Sequence, residues 1–207
     1  MAKYNNLREQ ILEQTRHLLV ENGYNHVSMR KVANLVGCTP TAIYLYFENK
    51  DALIHALIEE GMDSLHQKIE ECLASESDSA AQFKLMCRSF LEYGFTNPEY
   101  YIIMFQLPTD EMVPFPAEKY RRARRNLQQF ADVLHKARGE QQPLLDPLVD
   151  ATMVWSLLHG ATSLYLAQRI DTRISRDVFV TRTVDCAMSM LAPIQQSSWV
   201  SFFASPR

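Results

Sequence analysis

Apolar residues recur along this chain at helical spacing almost from its first residues, as in Leu7, Ile11, Leu18 and Leu19. A period near 3.6 lays one face of a helix on a core. Hardly any stretch alternates apolar and polar residues as a half-buried strand would, so the pattern predicts an all-α protein. Start and stop signals divide it into about nine helices. Gly23 follows the first, Ser28 caps a second that ends near Val36 and Gly37, Thr39 caps a third that starts on Pro40, and Asn49 caps a fourth running to about Leu73. Beyond a polar break from Ser75 to Ser79, a helix is expected near Ala80–Phe95. Asn97-Pro98-Glu99 then combines an N-cap, a first-position proline and an acid in the first turn. A loop rich in proline (Pro108, Pro114, Pro116) precedes helices expected near Ala117–Ala137, Pro147–Gln168 and Ser175–Leu191.

With 207 residues and 47% apolar composition, the chain can bury one sizeable domain and a small one, and is far too apolar for disorder. No apolar run approaches the roughly 18 residues of a membrane span, and Met1 to Gln10 is too polar for a secretory signal, so no membrane contact and a cytoplasmic location are expected. Cys38, Cys72, Cys87 and Cys186 form no Cys-x-x-Cys pair and read as small buried hydrophobes in a reducing compartment. His55 precedes Glu59, and His66 precedes Glu70, by one helical turn, but two ligands make no metal site. Solvated polar faces account for them, and neither a metal nor a cofactor is expected.

Net charge is −3 for the whole chain, which argues weakly against a nucleic-acid partner until it is divided by region. Residues 1–50 hold six Lys or Arg against four Glu, a net of +2, and the remainder carries −5. A basic head on an acidic body suits a protein whose head alone meets phosphate.

The segment Val27-Ser-Met-Arg-Lys-Val-Ala-Asn-Leu-Val-Gly-Cys-Thr-Pro-Thr-Ala-Ile-Tyr-Leu-Tyr-Phe47 describes two short helices meeting at a tight turn. Val32, Ala33 and Val36 make one apolar face, small Ala33 allows close approach, and Gly37 supplies the turn before Thr39 restarts the chain. That geometry sets the second helix, Pro40 to Tyr46, into a major groove with its N-terminal residues toward base edges. Thr41 suits a hydrogen bond to a base edge or phosphate, and Pro40 and Ala42 suit apolar contact with a thymine methyl. Arg30 is the long donor able to read guanine. Tyr44, Tyr46 and Lys50 can reach phosphates, and the caps Ser28 and Thr39 complete the candidate DNA-binding set. On spacing alone, an ordinary helical hairpin with solvated faces has the same outline.

Arg8, Ile11, Leu12, Gly23-Tyr24, Ser28, Val32-Ala33, Gly37, Ile43-Tyr44-x-Tyr46-Phe47 and Lys50-Asp51-x-Leu53 resemble, in order and spacing, the head of the tetracycline-repressor (TetR) family over about fifty residues. The resemblance implies an Ω-like homodimer whose two heads grip palindromic double-stranded operator DNA and whose C-terminal domain binds a small-molecule effector. It places a helix-turn-helix domain at 1–52 and an effector-binding and dimerisation domain at 53–207, with the boundary inside the fourth helix. Two departures stand out. Thr15 occupies a position where the family usually has alanine, and Pro40-Thr41-Ala42 replaces the commoner Ser-x-Gly type of stretch, which bears on the bases read.

Asn97-Pro98-Glu99-Tyr100-Tyr101-Ile-Ile-Met104-Phe105 and Trp155-x-x-x-His159-Gly160 are similar to one subgroup of that family, whose body carries a Trp-x-x-x-His-Gly signature. Tyr93, Tyr101, Phe105, Phe115, Trp155 and His159 are the candidate lining of an apolar pocket, with Pro108 to Pro116 as its entrance. A filled helical core uses the same residues. His159, one turn after Trp155, suits either a polar ligand group or a backbone carbonyl. The cluster Lys119, Arg121, Arg122, Arg124 and Arg125 spreads around its helix and reads as a solvated face. Val154, Leu157, Leu158, Ala161, Leu164 and Tyr165, with Val180, Val184, Ala187, Met188 and Leu191, offer two apolar helices for a four-helix dimer interface or for the internal core.

An enzyme is disfavoured: there is no phosphate-cradling glycine loop, no metal-ligand set and no Gly-x-Ser-x-Gly elbow, and the chain holds only six glycines. A ligand carrier whose head no longer binds DNA is the other alternative, and Arg30, Thr41, Tyr44, Tyr46 and Lys50 together argue against it. The function expected is that of a ligand-responsive transcriptional regulator, a repressor released from its operator by a mainly apolar effector.

Overall fold

The computed structural model describes residues 2–107, 120–139 and 146–192, with the side chains of 2–6 and 120–123 excepted. Its helices are α1 (Ala2–Asn22), α2 (Met29–Val36), α3 (Pro40–Tyr44), α4 (Lys50–Ser75), α5 (Ser79–Thr96), α6 (Pro98–Phe105), α7 (Tyr120–Arg138), α8 (Pro147–Leu166) and α9 (Arg176–Ser189), with a 3-10 turn at Tyr24–His26. Among the described residues there is no strand, and the helix ends fall within a few residues of the expected ones.

Local chemistry sets most of these ends. The Ser28 hydroxyl accepts from the Lys31 N–H at 3.2 Å and the Thr39 hydroxyl from the Ala42 N–H at 3.2 Å. Asn49 Oδ1 accepts from the Ala52 N–H at 2.8 Å, Asp146 Oδ1 from Leu148 at 2.9 Å and Ser175 Oγ from Val178 at 3.3 Å. Asn97 is different. It sits at the N-cap of α6 but accepts no capping bond there, and its Nδ2 instead donates to the Tyr93 carbonyl at 3.0 Å, closing the end of α5. Asp78, unremarked in the sequence, caps α5 through the Ala81 N–H at 2.8 Å.

By compactness the chain divides into Met1–Lys68 with Glu92–Asn126, and Ile69–Leu91 with Leu127–Arg207, so that the division falls within α4, α5 and α7. The first unit has a continuous core that includes Ile11, Leu12 and Leu19 of α1, Val32 and Ala33 of α2, Ile43 of α3, Leu53, Ile54 and Leu57 of α4 and Ile103 of α6. Thr15 is fully buried in it, and its hydroxyl donates to the Ile11 carbonyl at 2.6 Å. A threonine therefore replaces alanine there without stranding a polar group.

In the second unit α8 packs against α9. Phe83, Met86, Phe130, Val154, Leu158, Val180, Val184 and Ala187 are buried. Arg138, near the end of α7, has a side chain only 5% exposed that pairs with Asp150 on α8 and donates to the Met190 carbonyl at the end of α9 through Nε (2.9 Å) and Nη2 (2.6 Å).

Two sequence readings need correction. Cys72 and Cys87 are buried, and burial pushes the Cys87 thiol up to about 12, but Cys38 is half-buried and Cys186 exposed. His55 lies on no solvated face, being 5% exposed, and the half-buried His66 joins its Nδ1 to Asn126 Oδ1 at 2.9 Å. Among the described residues no three His, Cys, Asp or Glu gather as a metal site, and no helix is long and apolar enough to cross a membrane.

Asp150→Ala, which strands the Arg138 guanidinium in a buried setting, should lower unfolding free energy by roughly 3 kcal/mol. The double change Arg138→Met with Asp150→Leu, leaving no unpaired charge, should cost less. Urea titrations of the two variants check the order.

Candidate nucleic-acid interface and effector-binding body

The turn between α2 and α3 is made by Gly37, whose φ of 75° lies in the left-handed region. The Cys38 N–H bonds the Ala33 carbonyl at 2.9 Å, closing α2 before Thr39 opens α3. Ile43, fully buried, fixes α3 to the head core, and the positions around it face outward. Arg30, Thr39, Pro40, Thr41 and Tyr44 are exposed, as is Ser28, while Ala42, Tyr46 and Lys50 are half-buried. The hydroxyls of Ser28 and Thr39 accept their capping bonds and keep a proton to donate.

Lys50 has a second role. Its Nζ lies 3.5 Å from the Tyr24 ring centroid and donates to the Tyr24 carbonyl at 3.3 Å, while the Tyr24 hydroxyl donates to Asp51 Oδ1 at 2.6 Å. The Gly23-Tyr24 and Lys50-Asp51 pairs of the sequence are thus two sides of one clasp, holding the 3-10 turn against the start of α4. An ammonium has three donors, and this clasp leaves Lys50 able to offer another to phosphate. Leu45, which the sequence reading passed over, is 78% exposed at the end of α3. Its spacing of two residues from both Ile43 and Phe47, which turns it away from their side of the helix, was the available signal.

The candidate effector residues fall in different parts of the fold. Tyr101 is buried with its ring centroid 5.2 Å from that of Phe105, and Tyr93 donates its hydroxyl to the Gly61 carbonyl at 3.0 Å. All three belong to the first unit. Trp155 and His159 belong to the second, where their ring centroids lie 5.1 Å from Phe90, and Phe130 lies 5.3 Å from Trp155. Edge-on contacts dominate this aromatic cluster. Phe90 and Phe130 were not singled out in the sequence, because only tertiary packing brings them to Trp155. Phe115, the loop from Pro108 to Pro116, and Lys119 lie outside the described residues. Burial pulls the His159 imidazole down to about 4, so it is neutral at physiological pH. A groove of about 280 Å³ elsewhere in the second unit is lined by Leu73, Gln82, Gln129, Asp132, Val133 and Lys136.

On α8 and α9 the helical faces sort differently from a single apolar stripe. Val154, Leu158, Ala161, Val180, Val184 and Ala187 are spent on the unit's own core. Val149, Met153 and Leu164 of α8 and Val178 of α9 are each about half exposed.

Residues 11–57 match the family model described as bacterial regulatory proteins, tetR family, and residues 83–187 match that described as tetracyclin repressor-like, C-terminal domain. The chain is 30% identical over 98 residues to the nucleoid occlusion factor SlmA of Vibrio vulnificus strain YJ016, covering 47% of this chain and 50% of that protein. It is 33% identical over 94 residues to SlmA of Escherichia coli O1:K1 / APEC, covering 45% and 48%. The chain spans about half the length of the curated relatives it matches. A regulatory protein in the tetR family from Rhodococcus RHA1 has the same fold, with a TM-score of 0.75 at 16% identity over 91% of this chain and 98% of that one. AibR in complex with isovaleryl coenzyme A and operator DNA gives 0.67 at 20% identity, over 90% and 98%. The fatty acid degradation regulator FadR from Bacillus halodurans gives 0.69 at 17%, over 91% and 96%.

The depressed His159 sets a pH dependence. The unfolded chain takes up this proton near 6.5 and the folded one resists until about 4, so the contribution is complete above 6.5 and is lost as pH falls between those values. The loss by pH 4 should be roughly 3 kcal/mol, and His159→Gln should flatten that part of a stability-versus-pH curve taken from urea midpoints. Separately, Tyr24→Phe should lower stability by about 1 kcal/mol and leave the salt dependence of DNA binding unchanged, whereas Lys50→Ala should lower stability and reduce the salt slope as well.

Proposed function

Because the chain belongs to the tetracycline-repressor (TetR) family of DNA-binding transcriptional regulators, which are not enzymes, we propose that it is a homodimeric repressor released from palindromic operator DNA by a small, mainly apolar effector. The observation that carries this reading is the exposed face built by Arg30, Thr41 and Tyr44 on two helices whose ends are capped and whose inner sides, at Val32, Ala33 and Ile43, are buried. Residues 1–52 act as the DNA-binding head. Arg30 and Thr41, with Pro40 and Ala42, read bases, and Ser28, Thr39, Tyr44, Tyr46 and Lys50 hold the phosphate backbone.

Residues 53–207 act as the body, of the subgroup with the Trp-x-x-x-His-Gly signature. Of the candidate effector residues, Trp155 and His159, gathered with Phe90 and Phe130 in the second unit, receive the effector. Support for an apolar effector comes from the aromatic surroundings of Trp155 and from a neutral His159, which offers a hydrogen bond and no charge. AibR, a protein of this fold, was solved with an acyl coenzyme A and operator DNA. The effector acts only to the extent that it favours one arrangement of the heads over another. Repression needs two heads about 34 Å apart, one turn of DNA. The apolar surface of α8 left open at Val149, Met153 and Leu164 supports a two-fold interface there.

Selection of sites from random duplexes should give the wild type a palindromic consensus, and Arg30→Ala and Thr41→Ala should each relax it at particular positions. An unchanged consensus in both variants would falsify the assignment of base readers. Met153→Glu with Leu164→Glu should yield folded monomers, by light scattering, that lose most specific affinity. Leu158→Glu should instead unfold the body. A monomeric wild type would end the dimer proposal.

A further inference from the structure

We propose that Leu45 is a specificity-determining residue that reads thymine 5-methyl groups, so that α3 recognises its half-site chiefly by apolar contact. This inference rests on the reading of α3 as the recognition helix. Leu45 is the most exposed large apolar side chain among the described residues, at 78%. It follows Thr41 by four positions and therefore shares the outward face of the same turn, while Ile43 between them is fully buried and fixes which face that is. The backbone remains helical at Leu45, with φ −70° and ψ −21°.

The composition of α3 decides what this face can read. From Pro40 to Tyr46 the chain contains no Arg, Lys, Asn, Gln, Asp or Glu, the side chains that make bidentate or charged contacts with base edges. Thr41 and Tyr44 bring hydroxyls, each with a single O–H donor. Leu45 can make no hydrogen bond to phosphate, and contact with another apolar group is the favourable interaction open to it. In the major groove that group is the methyl of thymine. Ala42, half-buried and one methyl long, reaches less far than Leu45. The charges that hold the head on DNA flank this surface, with exposed Arg30 and Lys31 on α2, so the apolar residue lies within an electrostatically anchored face.

The test uses the full chain and the duplexes it selects from a random library, resynthesised with deoxyuridine in place of each thymine in turn, which removes a methyl and nothing else. Binding is read by fluorescence anisotropy at fixed salt. At least one thymine in each half-site should show about a fourfold loss of wild-type affinity on demethylation. At the thymine that Leu45 reads, Leu45→Ala should lose most of this discrimination between the thymine and uracil forms. Leu45→Gln, which supplies an amide, should shift the selected base toward adenine and keeps the test decisive should the alanine variant fold poorly. Uracil duplexes that all bind the wild type like their thymine parents would overturn the proposal, as would a methyl effect that persists undiminished in Leu45→Ala. If the wild type selects no sequence at all, the reading of the head as a DNA reader falls, and the Leu45 proposal falls with it.

Discussion

The head depends on a reversal of chain direction between Val36 and Pro40 that leaves both helix ends satisfied. Only a residue free to adopt a positive φ ends α2 there without strain, and Gly37 is that residue, at φ 75°. Because Cys38 then bonds back to Ala33, and Thr39 caps the next turn, the reversal is tied by hydrogen bonds to both helices. Burial of Val32, Ala33 and Ile43 fixes the rotation of both helices about their axes. Which side chains of α2 and α3 face outward follows from that rotation. A helix turned by one position would bury Tyr44 and expose Ile43.

The clasp around Tyr24 extends the same logic to the start of α4. A five-residue helix has little stability of its own, so α3 is held by what surrounds it. Phe47 is buried and Arg8 stacks on its ring at 5.6 Å, while Lys50 and Asp51 grip Tyr24 from the far side of the turn. Candidate phosphate contacts and structural contacts are therefore not separate sets. Lys50 serves the fold before it meets any partner, and a change there affects stability and affinity together.

Those parts of the molecule governed by local chemistry were legible in the sequence. Ser28, Gly37, Thr39, Pro40, Asn49 and Ser175 announce helix ends because capping and left-handed backbone act over three or four residues. Parts decided by distant partners were not. Asn97 has the composition of a cap, yet its amide closes the preceding helix, since the Tyr93 carbonyl lies within reach. The apolar residues of α8 surround the helix, so periodicity could not separate Val154 and Leu158, which face the core, from Met153 and Leu164, which do not. Phe90 and Phe130 reach Trp155 only through tertiary packing, and no spacing within one helix could have joined them.

How far α6 is free to move relative to the head follows from its contacts within the first unit. At its start, Glu99 forms an ion pair with Arg16, Oε2 lying 2.8 Å from Nε, and places Oε1 3.0 Å from His17 Nδ1, while the Arg16 guanidinium stacks over Tyr100 at 4.8 Å. Tyr100 also bonds Glu60, and burial with that carboxylate pushes its phenol up to about 12. Further along, a Cβ on Gly61 would come within 2.7 Å of Met104 Sδ, so glycine leaves room for that side chain beside α4. The two attachments differ in kind. Partly exposed ion pairs are screened and contribute about 1 kcal/mol or less each, and they can be broken and remade cheaply. The contact at Gly61 is made by Met104, a flexible side chain, and adjusts as that side chain changes rotamer. Since α6 packs most extensively on α1 and adds Ile103 to the core that α1 shares with α2 and α3, a displacement of α6 should pass to the head mainly through α1.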